Sequence, residues 1–67
     1  MTDDKMIRMA NQIATFFDSQ PKDDAAKEIA NHLNLFWDPR MRAKLQAYLA
    51  RGGEGLRPSV IAAAAHL

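Results

Sequence analysis

The sequence predicts an all-α fold, a small bundle of three to four short helices in a single domain. Three observations predict it. Apolar residues recur with the helical period in separate stretches of the chain. Pro21, Pro39, the Gly52-Gly53-Glu54-Gly55 run and Pro58 fall between those stretches, where helices stop and start. No segment alternates apolar and polar residues as a half-buried strand would, and there is no internal repeat or low-complexity segment.

The first helix is expected over residues 3–19. At 100° per residue, Met6, Ile7, Met9, Ala10, Ile13, Ala14, Phe16 and Phe17 occupy one half of the cylinder. Arg8, Asn11, Gln12, Thr15 and Asp18 occupy the other. An apolar arc of about 180° exceeds the ~100° stripe of an ordinary surface helix, so this helix should meet two surfaces at once. Asp3 and Asp4 sit where a helix N-terminus favours negative charge. Pro21 ends this helix and suits the first turn of the next. The second helix is expected over residues 22–37, with Asp23 and Asp24 in its first turn. Ala26, Ile29, Ala30, Leu33, Phe36 and Trp37 face inward, and Leu35 points away.

Asp38-Pro39 marks the third helix, expected over residues 39–51. The Asp38 carboxylate can cap the free amides of the first turn, and Pro39 needs no donor there. Met41, Leu45, Tyr48 and Leu49 face inward, and Gly52 is the expected C-cap glycine. The fourth helix is expected over residues 58–67, with Val60, Ile61, Ala64 and Leu67 on one face. Ala62 to Ala65 add a small-residue surface that allows close approach.

Composition narrows the function. The chain has 67 residues, no cysteine and a net charge of +1. Near-neutrality removes the usual electrostatic case for a dedicated nucleic-acid binder. Without cysteine there is no disulfide framework, thiolate zinc site, iron–sulfur site or thiol nucleophile. The core of so small a chain nets only ~3–5 kcal/mol, so a partner is expected. No secretory signal or membrane-spanning run is expected, and the localisation read from this is cytoplasmic. Charge is uneven: residues 1–37 carry −2 and residues 38–67 carry +3.

No catalytic, cofactor-binding or metal-ligating set emerges. His32 and His66 are far apart in sequence, and His32 with Glu28 makes only a two-member cluster. Adjacent Asp23 and Asp24 diverge by about 100° and cannot flank one bond. The glycine run lacks the lysine, hydroxyl and preceding strand of a phosphate loop, and Glu54 would repel phosphate.

The most informative stretch is Phe36-Trp37-Asp38-Pro39-Arg40-Met41-Arg42. Arg40 and Arg42 oppose the helix dipole in the first turn of the third helix, by ~0.3–1 kcal/mol each when exposed. Internal pairing would account for them; so would a partner contact, where Arg and Trp are enriched as hot spots. Trp37 shares the angle of Leu33 and Ala30 and is expected in the core. The partner-facing surface is expected to include Trp37, Asp38, Arg40, Arg42, Gly53, Glu54 and Leu56.

The runs Met9-Ala10-Asn11-Gln12-Ile13-Ala14 and Ile29-Ala30-Asn31-His32-Leu33 carry a resemblance, together with Phe36 to Arg42 and Gly52-Gly53-Glu54-Gly55-Leu56 ahead of Pro58. Across about residues 6–65 the chain resembles the delta subunit of soluble NAD-dependent formate dehydrogenases that use a molybdenum or tungsten pterin cofactor. The resemblance implies a non-catalytic accessory subunit with no cofactor of its own. In that family the alpha subunit holds the pterin-bound metal and iron–sulfur clusters. The beta and gamma subunits carry flavin and further clusters and reduce NAD. The delta subunit is associated with assembly or stability of the complex. The implied partner is the catalytic alpha subunit, with beta and gamma as further candidates, and neither nucleic acid nor membrane. The rival class is a small helix-turn-helix DNA-binding or regulatory protein, in which the third helix would display Arg40, Arg42, Lys44, Gln46 and Arg51.

Overall fold

A computed structural model describes residues 2–20 and 24–67. Four helices follow one another: α1 (Asp3–Asp18), α2 (Ala25–Phe36), α3 (Pro39–Ala50) and α4 (Pro58–Ala63), the last extended by a single 3-10 turn, Ala64–His66. No strand occurs among the described residues.

Local chemistry accounts for the helix boundaries. Thr2, Asp24 and Asp38 each stand in an extended conformation ahead of a helix, and each side chain accepts a hydrogen bond from an amide of the first turn. The Asp38 carboxylate receives the Met41 N–H at 2.9 Å, and Pro39 occupies the position that needs no donor. Asp24 is thus the cap of α2 rather than a first-turn residue. Pro21, Lys22 and Asp23, expected at the start of this helix, lie outside the described residues.

The C-terminus of α3 is closed by a Schellman arrangement. The Gly53 N–H reaches the Tyr48 carbonyl at 3.1 Å, and the Gly52 N–H reaches the Leu49 carbonyl at 3.0 Å. The chain then turns again, with the Leu56 N–H on the Gly53 carbonyl at 3.0 Å and Gly55 at φ +88°. A type II turn requires that positive φ at its third residue. Two successive turns therefore use the glycines, which a single helix cap would not.

The core is a single cluster. Met6, Ala10 and Ala14 come from α1, Ile29, Ala30 and Leu33 from α2, Leu45 from α3, and Val60 and Ala63 from α4, all fully buried. Trp37 and Leu56 complete it from the connecting segments. α1, α2 and α4 pack on one another, and the α2–α4 contact is the most extensive. Buried alanines on all three allow interaxial distances toward the short end of the usual ~8–10 Å. α3 joins this trio through Leu45, its one buried residue. Ion pairs from Lys44 and Arg51 to Asp3, at 3.8 and 3.7 Å, add an exposed tether of small value.

The expected polar half of α1 is partly a tertiary surface. The Asn11 side chain donates to the Gly55 carbonyl and accepts from the Arg57 N–H, both at 2.9 Å. Asp18 accepts from Arg57 Nε and Ser59 Oγ, both at 3.0 Å. These bonds fasten the glycine turn and the start of α4 to α1. Asn11→Ala removes two backbone partners at once and is expected to cost about 1–3 kcal/mol. Urea denaturation checks this; an unchanged midpoint would show that water replaces the carboxamide without loss.

Candidate partner-binding surface

α1 meets α2 on one side and α4 on the other, yet its wide apolar arc is not fully covered. Phe16 is 61 % exposed and Phe36 is 72 % exposed. Between α1 and α2 lies an open groove of about 420 Å³, lined by Met9, Gln12, Ile13, Phe16, Phe17, His32 and Trp37. The aromatic rings touch in series. Phe16 meets Phe17 edge-on at 5.1 Å, Phe17 meets His32 at 6.0 Å, and His32 meets Phe36 at 4.7 Å. Such contacts hold rings at fixed angles and keep a large apolar face presented to solvent.

Sequence periodicity placed Phe36 inward with Trp37. Only Trp37 is buried: its N–H bonds to the Leu33 carbonyl at 2.9 Å, so its side chain keeps the helical angle of Ala30 and Leu33, whereas Phe36 stands about 100° away at the rim of the arc. The extended ψ of Trp37, 137°, redirects the chain only beyond it, toward Asp38 and α3. Ile61, placed on the inner face of the fourth helix, is 45 % exposed. Val60 is buried as expected, and Ala63 shares the buried face of α4 with it.

The seven residues expected at a partner surface have different settings. Trp37, Gly53 and Leu56 are buried. Asp38 caps α3. Arg42 turns back and donates from Nη1 to the Asn34 carbonyl at 3.3 Å and to the Trp37 carbonyl, which closes the end of α2. Glu54 is exposed, and its carbonyl accepts the Tyr48 hydroxyl at 2.6 Å. Arg40 is exposed, without an ion pair among the described residues. The set does not form one continuous patch: the start of α3 and the glycine turn stand at opposite ends of a 12-residue helix, about 18 Å long. The groove was not singled out as a site from sequence, although the 180° arc of α1 was its signal.

The cations that a DNA-reading helix would display are largely engaged. Lys44 and Arg51 pair with Asp3, and Arg42 serves backbone carbonyls. Among the described residues no three His, Asp or Glu side chains gather as metal ligands, and no helix is long and apolar enough to cross a membrane.

Fold and surface together define a small all-α protein with a shared helical core and an open aromatic groove. Residues 5–64 match the protein-family model described as NADH-dependent formate dehydrogenase delta subunit FdsD, and the chain belongs to that family. Membership makes it a subunit of a formate dehydrogenase complex, in agreement with the resemblance carried by the four sequence runs. A comparison with curated proteins gave no match.

Proposed function

We propose that this chain is a non-catalytic accessory subunit that docks on the catalytic alpha subunit of an NAD-dependent formate dehydrogenase and supports its assembly, cofactor loading or stability. The observation that carries the reading is the exposed aromatic face across α1 and α2, which the chain's own helices leave uncovered. Apolar patches of this kind mark interaction surfaces. Arg40 and Asp38 contribute polar contacts beside the Trp37 end of this face and Glu54 a separate one at the far end of α3, while Trp37 and Arg42 hold the end of α2 and Gly53 and Leu56 hold the glycine turn. Docking also stabilises the chain. A partner present at 100 times its dissociation constant adds ~2.7 kcal/mol, comparable with the ~3–5 kcal/mol of a core this small.

The test is a strain that lacks this chain, with the gene restored in trans as the control. Expected are a lower yield of complex or lower metal and pterin content per mole, with formate-dependent NAD reduction reduced in proportion. Enzyme with normal yield, cofactor load and specific activity would show the chain to be dispensable and overturn the reading.

A further inference from the structure

We propose that the groove between α1 and α2 seats an amphipathic helix of the partner subunit, running antiparallel to α1, with its carboxylate-bearing C-terminal end beside Lys5, Arg8 and Arg40. The inference rests on the docking reading above and assigns the chemistry of the occupant.

Shape comes first. Met9, Ile13 and Phe17 form one wall of the groove at four-residue spacing, and His32 stands opposite with Trp37 below. From Met9 to Phe17 the wall rises about 12 Å, a little over two helical turns. An occupant following it presents large apolar side chains at i, i+3 or i+4, and i+7. An extended strand is a poor match. Strand addition relies on unpaired backbone groups at a sheet edge, and both walls here are helices whose backbone groups bond internally.

Charge sets the direction. Phe17, at the end of α1, lies beside His32, and Trp37, just past the end of α2, lines the same groove as Met9, so α2 runs back along α1 and the start of α1 lies at the Trp37 end of the groove. Lys5 and Arg8 precede the lining residues Met9 and Gln12 by four positions each and share their side of α1. Arg40 follows Trp37 by three residues, in the exposed first turn of α3. None of the three has an ion pair among the described residues. The carboxylates at this end are Asp4, the capping Asp38, and Asp3, which is engaged by Lys44 and Arg51. The opposite end carries Asp24 and Glu28 against the single cation Lys27 among the described residues of the first turn of α2. A helix is negative at its C-terminus and positive at its N-terminus, so this gradient favours one orientation, and carboxylates in its last turns reinforce the choice.

A second copy of this chain is a poor occupant. α1 and α2 are already the walls, α4 has 6 residues, and α3 carries cations rather than carboxylates on its exposed surface.

The experiment co-expresses the full tagged chain with the subunits of its own complex, with p-benzoylphenylalanine replacing Phe16 or Phe36 as a photo-crosslinker. Phe16→Glu and the pair Arg8→Glu, Arg40→Glu are purified alongside, and circular dichroism checks that each exposed substitution leaves the helices intact. Expected are crosslinks from both positions to one partner helix with i, i+3/i+4 apolar spacing and Asp or Glu toward its C-terminal end. Phe16→Glu should lower recovery of the complex about tenfold or more, and the double charge reversal severalfold. Crosslinks to a strand, to a helix of opposite direction or to a second copy would overturn the assignment, as would their absence in an intact complex. Full recovery of the complex with folded Phe16→Glu removes the groove assignment alone. A wild-type chain that does not co-purify removes the subunit reading, and this inference with it.

Discussion

Leu45→Ala is expected to leave the isolated chain largely unfolded at room temperature, while Leu35→Ala leaves it unchanged. Leu45 is fully buried and is the one residue that α3 contributes to the core. Truncating such a leucine removes its transfer energy and leaves a cavity, at a cost of about 3–5 kcal/mol. That equals the whole net stability available to a core of this size, ~3–5 kcal/mol. Leu35 is 78 % exposed, so its truncation should change stability by no more than about 0.5 kcal/mol. Urea melts followed by circular dichroism distinguish the two leucines directly. A wild-type midpoint for Leu45→Ala would mean that α3 is not held to the bundle by this side chain. The effect bears on function because α3 carries Arg40 at the end of the groove. Binding to the folded form raises apparent stability, so the same substitution should be milder inside the complex.

Gly53→Val is expected to lower the melting temperature by roughly 10 °C or more. Gly53 has φ +65°, a left-handed conformation that a β-branched side chain strongly disfavours. The space is also occupied. A Cβ at this position would stand 3.2 Å from Leu49 Cδ2, 3.5 Å from Ile61 Cγ1 and 3.7 Å from Leu56 Cδ1. Leu49 Cδ2 ends a flexible side chain and can give way to one methyl, so Gly53→Ala should be the milder change. Valine adds two more methyl groups to the same space. Backbone strain of ~1–3 kcal/mol and overpacking of similar size then act together. For a domain this small each kcal/mol moves the midpoint by about 4–8 °C. Calorimetry on the purified chain is the check. Equal midpoints for Gly53→Val and wild type would mean that the turn can be rebuilt without its left-handed residue.

The glycine turn shows how local and tertiary information divide. Three glycines in four positions are visible in the sequence as more than a cap needs. That Gly53 is buried, with α3 and α4 side chains around the place a Cβ would take, depends on where the chain goes next. Asn11 is similar. Its position on the polar half of α1 follows from periodicity, but its bonds to Gly55 and Arg57 join residues 44 and 46 positions apart.

By itself the sequence determined the helical class, the breaks at proline and glycine, the Asp38 cap and the buried faces of α1 and α2. The physical reason is that helical period and capping act within a few residues, where the order of side chains is enough to read them. The runs around Asn11, Asn31, Trp37 and Gly53 likewise carried the family from sequence. Only the tertiary structure decided which part of a 180° apolar arc stays open. A helical wheel measures the width of an arc, but the neighbours that cover it arrive from distant positions. It also decided how much of the α2 arc is covered: Trp37, near the angle of Ala30 and Leu33, is buried as expected, whereas Phe36, about 100° away at the rim of the arc, is 72 % exposed. The Trp37 N–H still bonds to the Leu33 carbonyl at 2.9 Å, so the indole keeps its helical angle and reaches the core, while covering the rim of the arc depends on neighbours from distant positions, and the Phe36 ring is left facing solvent.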